Sequence, residues 1–206
     1  AEIPREMVAS GDWVVPRLNG LRYFEKPVMG YWLTAVSISI FGENNFAVRL
    51  PSSLAIGCTA LFVFFLCSHY HTPQSRLPFL SSFIYLSTLG VMSLGTLAIL
   101  DPPLTFFLTG TLVLFFIATE APPGSAQERG WLLAAGVFAG SAFLTKGFLA
   151  FVIPVATAAP YLILQRRWTD LLRMLVLPVV GAFLVSLPWV ILIHQREPDF
   201  WNYFFW

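Results

Sequence analysis

From Pro51 to Ile193 the chain passes through one apolar segment after another, each closed by a short polar turn. This is the feature that most restricts the fold. A soluble domain carries roughly a quarter charged residues. Here charged residues make up 11% and hydrophobic ones 57%, so most of the chain belongs in lipid. The segments read as helices at Pro51 to about Ser68, Leu77–Leu100, Leu104–Thr119, Trp131–Thr145, Phe148–Leu164 and Leu171–Ile193. The expected fold is an all-α polytopic membrane protein, with six spans over residues 50–193. Cys58 and Cys67 fall nine residues apart on one expected helix, too far for a disulfide at about 1.5 Å rise per residue.

Residues 1–49 differ in kind. Pro4 suits the first turn of a helix that Ser10-Gly11 ends, and Asn19-Gly20 reads as a turn. Val28–Phe41 is apolar but short of the roughly 20 residues a crossing needs. With Tyr31 and Trp32 near its start, it suits the interface. The expected organisation is therefore an extramembrane loop with interfacial helices (1–49), the span region (50–193) and the start of an aromatic interfacial segment (194–206). The chain begins at Ala1 and stops within the run Phe200–Trp206, which reads as an internal piece of a larger membrane protein.

Alternation through six spans puts 1–49, the Asp101 turn, the Lys146 turn and 194–206 on one face of the membrane. The turns at 69–76, 120–130 and 165–170 fall on the other. That second face carries Arg76, Arg129, Arg166 and Arg167, with Arg173 close by, and is the cytoplasmic one by the positive-inside rule. Counting the five basic residues of 1–49 reverses the tally.

With so few charges, those present stand out. The stretch Arg22-Tyr23-Phe24-Glu25-Lys26-Pro27 holds one of the two lysines. A carboxylate can ligate a divalent cation or act as a base, and an ammonium can hold a phosphate. The bland alternative is a solvated pair on a loop. Asp101 is the single acidic residue between Glu43 and Glu120. Before Pro102-Pro103 it would also serve as an N-cap. Lys146, between two apolar helices and ahead of Gly147, suits a helix C-terminus. It is also an ionisable group at membrane depth, which points to function. His69, His71 and His194 lack metal-ligand spacing. The aromatic residues at 31, 32, 201, 203 and 206 read as an interface belt, and Tyr23 is set apart by its closeness to Glu25. No Walker loop, GxSxG or CxxC is present, so no nucleotide or organic cofactor is expected. The near-neutral net charge of +1 argues against a nucleic-acid partner.

A resemblance then gathers these residues. Arg5-Glu6-Met7, Ser10-Gly11-Asp12-Trp13, Pro16, Leu18-Asn19-Gly20, Tyr23, Glu25-Lys26-Pro27, Tyr31-Trp32 and Phe46–Pro51 together resemble the first extracytoplasmic loop of the GT-C glycosyltransferases. The branch is that of the aminoarabinose transferases of lipid A and their protein-mannosyltransferase-like relatives. Asp101-Pro102-Pro103-Leu104 and Thr145-Lys146-Gly147 follow in the expected order. The resemblance implies a GT-C-like helix bundle in a bacterial inner membrane, multi-pass, with its active site facing the periplasm. It implies an inverting glycosyltransferase moving a sugar from a polyprenyl-phosphate (undecaprenyl) carrier to a lipid A, protein or glycan acceptor. Lys26 and Lys146 would then hold the carrier phosphate, Tyr23 would line the cavity, Glu25 would be associated with a divalent metal, and Asp101 would match a second important acidic residue, a catalytic candidate. The family's best-known aspartate would precede Ala1 and its further basic cluster would follow Trp206, so a complete active site is not expected within these residues. The competing expectation is a piece of a transporter or flippase for a lipid-linked or phosphorylated substrate. Such a protein prefers charges deep within spans or broken helices near the midplane, whereas these span interiors are nearly free of charge. A purely structural subunit is the third.

Overall fold

A computed structural model describes residues 1–205, so Trp206, expected in the interface belt, lies outside the described residues. The chain divides into two compact units. One comprises Ala1–Tyr23 with Gly30–Thr109, the other Phe24–Met29 with the chain from Gly110 on.

The first unit opens with α1 (Glu2–Ser10), with Pro4 in its first turn. Gly11 closes the helix at φ 72°, donating its N–H to the Met7 carbonyl at 3.0 Å. Arg5 donates from Nε to Glu2 at 3.0 Å. That hydrogen bond, reinforced by the guanidinium charge, holds the Glu2 carboxyl below its ordinary value. A two-residue hairpin follows, β1 (Arg17–Leu18) paired antiparallel with β2 (Leu21–Arg22). Its turn residues Asn19 and Gly20 both have positive φ, 55° and 78°, the conformation that tight hairpins need. The Glu6 carboxylate accepts from the backbone N–H of Asn19 and of Gly20, fixing that turn to α1. Asp12 accepts from Val14 N and Val15 N, and Trp32 Nε1 donates to the Trp13 carbonyl at 2.7 Å. Much of the motif in residues 5–32 is therefore the bonding that keeps an irregular segment in one shape.

Helix α2 (Met29–Phe41) has 13 residues, about 20 Å, against a hydrocarbon core of about 30 Å. Helix α3 (Asn45–Tyr70) is capped by Asn44, whose side chain accepts from Ala47 N at 2.9 Å. The sequence reading starts this helix at Pro51, whereas Pro51 lies inside it. A proline there has no N–H for the carbonyl four residues earlier, that of Ala47. The Ser37 hydroxyl donates to that carbonyl at 2.6 Å and so replaces the missing hydrogen bond. The expected span Leu77–Leu100 is two helices, α4 (Leu77–Ser87) and α5 (Leu89–Gly95), bent by 65°. Serines of α3 support the region after the bend: Ser53 donates to Gly95 O at 2.8 Å and Ser52 to Ile99 O at 3.2 Å. Carbonyls freed from helical bonding are tolerated in a membrane when such partners supply hydrogen bonds.

Helix α6 (Asp101–Glu120) gives its first nine residues to this unit and the rest to the second. The second unit continues with α7 (Ala126–Lys146), α8 (Leu149–Leu164), α9 (Trp168–Arg173), α10 (Val176–Arg196) and α11 (Phe200–Phe205). Its centre is the pairing of α7 with α10, where glycines bring main chain against main chain. A Cβ on Gly136 would lie 2.2 Å from Pro178 O, one on Gly140 2.6 Å from Ala182 O, and one on Gly181 2.4 Å from Leu133 O. Small residues inside and large apolar ones outside, such as Leu164, Phe183 and Leu184, are the pattern of helices packing in lipid. At the start of α7, Ser125 caps the helix by accepting from Glu128 N at 3.1 Å. The buried Glu128 carboxylate pairs with Arg173 at 2.8 Å. Asp170 joins Arg173 to Arg167, whose guanidinium also donates to the last-turn carbonyl of Thr119 in α6.

Among the described residues, α3, α6 and the stretch Asp170–Arg196 are long and apolar enough to cross a bilayer, and the bent α4–α5 pair would make a fourth. Helix α7 has 21 residues but carries Glu128 and Arg129 near its start, and α8 has 16. Both cysteines are free, as their spacing requires.

Candidate functional site

The second unit takes in the short segment Phe24–Met29, which brings Glu25 and Lys26 with it. Residues 24–28 form no helix or strand. The segment is held through its apolar members: Phe24, Pro27 and Val28 are buried, Lys26 is half-buried and Glu25 is exposed. Burying the neighbours while leaving the charges at the surface is what an interface allows. The Phe24 ring meets Phe200 edge-on at 5.2 Å and Tyr203 at 6.3 Å. Beside it opens a cavity of about 560 Å³ lined by Glu25, Lys26, Asn202 and Tyr203.

Lys146 is the last residue of α7, half-buried, in the same unit. Gly147 ends the helix with φ 76° and ψ −144°, its N–H donating to Phe143 O at 2.8 Å. That backbone is open to glycine and strained for other residues. The Gly147 main chain also passes close to Phe204, which lies 3.1 Å from where a Cβ would stand. Phe204 meets Phe148 at 5.8 Å and Phe143 at 6.4 Å, the aromatics on either side of Lys146. Since Phe204 stacks on Phe200 at 5.2 Å, the Lys26 segment and the Lys146 turn pack on the same short helix, α11. An apolar cavity of about 370 Å³, with Phe143, Phe148 and Trp201 in its lining, adjoins the Lys146 turn.

Of the expected site residues, Glu25 and Lys26 line one cavity, and Lys146 is tied to the same aromatic cluster without lining it. Tyr23 and Asp101 belong to the first unit. The Tyr23 N–H donates to Pro16 O at 2.9 Å, and Asp101 is the first residue of α6. Asn202 and Tyr203 were not expected as cavity residues, because Tyr203 fitted an interface belt. The available signal was Asn202, the one polar non-aromatic residue within Phe200–Trp206. His194 accepts from Trp201 Nε1 at 3.2 Å when Nδ1 is unprotonated.

A divalent cation asks for about six oxygen ligands. Glu25 is the sole carboxylate lining the cavity, and no group of three His, Cys, Asp or Glu comes together among the described residues. The described residues do not by themselves fit a complete metal site, and no chemical step is routed through one.

Residues 1–204 match the family described as dolichyl-phosphate-mannose-protein mannosyltransferase. The undecaprenyl phosphate-alpha-4-amino-4-deoxy-L-arabinose arabinosyl transferase of Aeromonas hydrophila is 46% identical over 206 residues, all of this chain and 37% of that protein. The enzyme of the same description from Serratia proteamaculans is 47% identical over the same extent. The chain thus spans little more than a third of the length of the curated relatives it matches. The crystal structure of ArnT from Cupriavidus metallidurans bound to undecaprenyl phosphate is similar, with a TM-score of 0.90 and 31% identity. The match covers 99% of this chain and 38% of that one, and the apo structure matches equally.

Proposed function

The chain belongs to the dolichyl-phosphate-mannose-protein mannosyltransferase family, and from that premise we propose that it forms the donor-phosphate part of a bacterial inner-membrane glycosyltransferase. The observation that carries the reading is the pair of lysines. They are the only two in the chain, and both pack on α11 through aromatic neighbours. The donor is a polyprenyl phosphate carrying a sugar, as the names of the relatives indicate for those proteins. Its phosphate sits in the cavity beside Lys26, with Lys146 reaching it from the end of α7. The first isoprene units find apolar walls in the cavity beside Phe143 and Phe148. The site faces the periplasm, where carrier and acceptor lipids meet.

The reaction in this reading is an inverting displacement. An acceptor oxygen forms a bond to the anomeric carbon as the bond from that carbon to the phosphate oxygen breaks, and the carrier leaves as polyprenyl phosphate. Negative charge grows on the phosphate in the transition state. Two ammonium groups in a partly desolvated pocket stabilise that charge more than they stabilise the ground state. Tyr203 and Asn202 supply further hydrogen-bonding groups at the cavity wall. With a lipid A phosphate as acceptor, the nucleophile is already anionic. A hydroxyl of a protein or glycan would require a base, a role open to Asp101. Glu25 would offer one oxygen ligand to a divalent cation, and no step depends on it.

The test uses the intact protein, with sugar transfer from undecaprenyl-phosphate aminoarabinose to lipid A as the readout. Replacing Lys26 by Ala should lower kcat/KM by about 100-fold or more, the scale for removing one group that stabilises a developing anion. Transfer at the wild-type rate in Lys26→Ala would overturn the assignment. Movement of the labelled lipid across proteoliposomes without a covalent product would favour a transporter.

A further inference from the structure

The aromatic cluster on which both lysines depend has a hub. Phe200 is fully buried, with four rings around it. Phe24, Trp189 and Trp201 meet it edge-on at 5.2, 5.4 and 5.0 Å, and Phe204 stacks on it at 5.2 Å. Its place is set by the turn between α10 and α11, where Phe200 N donates to Glu197 O at 3.0 Å and Glu197 N donates to Ile193 O at 2.8 Å. Trp189, also buried and one element earlier, forms the floor that α11 folds back upon. Phe200 is thus fixed to the α10 scaffold, while Phe24, one of the rings it touches, belongs to a segment without helix or strand.

Those groups lead to the charges. Phe24 stands two residues before Lys26 in a segment without helix or strand, where side-chain packing must supply what a hydrogen-bonded ladder would otherwise give. Phe204 passes the constraint to Phe148 and to the main chain at Gly147, directly after Lys146. We infer that Phe200 is a positioning residue. It sets the Lys26 segment and the Lys146 turn relative to each other so that two ammonium groups address one phosphate. The inference rests on the donor-phosphate reading above and adds the residue that determines its geometry. Edge-on and stacked rings have directional preferences, so a ring here specifies orientation that an aliphatic side chain of similar volume would not.

The experiment is a double-mutant cycle on the intact protein in nanodiscs, reading the Kd for undecaprenyl phosphate by calorimetry. Phe200→Ala should raise Kd about tenfold and Phe200→Leu about threefold. In a Lys26→Ala background, Phe200→Ala should raise Kd less than threefold, because one of the two groups it positions is gone. Equal effects in both backgrounds would make Phe200 a packing residue only and overturn the inference. Should Phe200→Ala fail to fold, Phe200→Leu and Phe24→Leu carry the same cycle from the two sides of one ring contact. Phe64→Leu, which removes a comparable 4.9 Å ring contact with Phe79 in the other unit, should leave Kd unchanged. A Lys26→Ala protein that binds as tightly as wild type would refute the donor-phosphate reading itself. Loss in Lys26→Ala with no loss in any Phe200 variant would refute the positioning role alone.

Discussion

Gly136→Ala adds one methyl group where α7 lies against α10. That methyl carbon would stand 2.2 Å from Pro178 O, 2.6 Å from its Cα and 2.7 Å from its carbonyl carbon. All three are main-chain atoms, so no rotamer change relieves the clash. Ordinary contact begins near 3.4 Å, and the helices must part locally by roughly 1 Å. A gap of that size forfeits about a quarter to a half of the dispersion energy of the atom pairs it opens. In lipid this packing is the main attraction between helices, since no water is released. Overpacking costs about 1–3 kcal/mol, and rigid neighbours put this case near the top of that range. The gain in helix propensity from Gly to Ala offsets about 1 kcal/mol, leaving a net loss of about 2 kcal/mol. Gly130 offers the control: it lies on the same helix, exposed, with nothing within 4 Å of where a Cβ would stand. Gly130→Ala should therefore stabilise by about 0.5–1 kcal/mol. Thermal or denaturant unfolding of the intact protein in nanodiscs, followed by tryptophan fluorescence, compares the two. If both substitutions move stability in the same direction, the main-chain contact between α7 and α10 is wrong.

Ser37→Ala removes the hydroxyl that bonds the Ala47 carbonyl and leaves a buried acceptor without it. Stability should fall by about 1–3 kcal/mol in the same unfolding assay, and an unchanged midpoint would mean that the carbonyl has another partner. Asp101→Asn separates charge from helix capping. Removing a first-turn charge costs at most about 1 kcal/mol of helix stabilisation. Transfer to lipid A needs no base, so Asp101→Asn should keep activity within about threefold of wild type, and a loss of about 100-fold would show that Asp101 acts in this reaction as well.

How far the sequence could be read depended on whether a feature was local. Gly147 after Lys146 announced a helix end, and the helix does end there, because a C-cap is set by one residue's own backbone freedom. Glu25 and Lys26 stood out because charge is scarce near lipid, so a charged residue among apolar ones draws attention by itself. Pro51 misled for the opposite reason. By local rules a proline starts a helix, and the hydroxyl that lets it sit inside α3 comes from Ser37, 14 residues earlier. The bend between α4 and α5 was equally hidden, since Ser52 and Ser53 reach Ile99 and Gly95 from another helix. Phe200 escaped notice because lipid contact and ring packing call for the same residue types. Nothing in the run from Phe200 to Tyr203 distinguishes a belt from a hub until Phe24 is brought beside it.

The two ends of α7 illustrate why the second unit would use rings near its lysines. The helix rises about 27 Å from Glu128 to Lys146. At the Glu128 end the anchors are ionic, with Arg173 bound by Glu128 and Asp170, and Arg167 bound by Asp170 and the Thr119 carbonyl. Such anchors fix geometry by neutralising charge. An arginine held that way has little left to offer an incoming phosphate, because releasing it would expose a buried carboxylate. At the Lys146 end the described contacts that fix the turn are Phe143, Phe148 and Phe204, and those that fix the Lys26 segment include Phe24 and Phe200. Rings hold the main chain beside a lysine without consuming its positive charge.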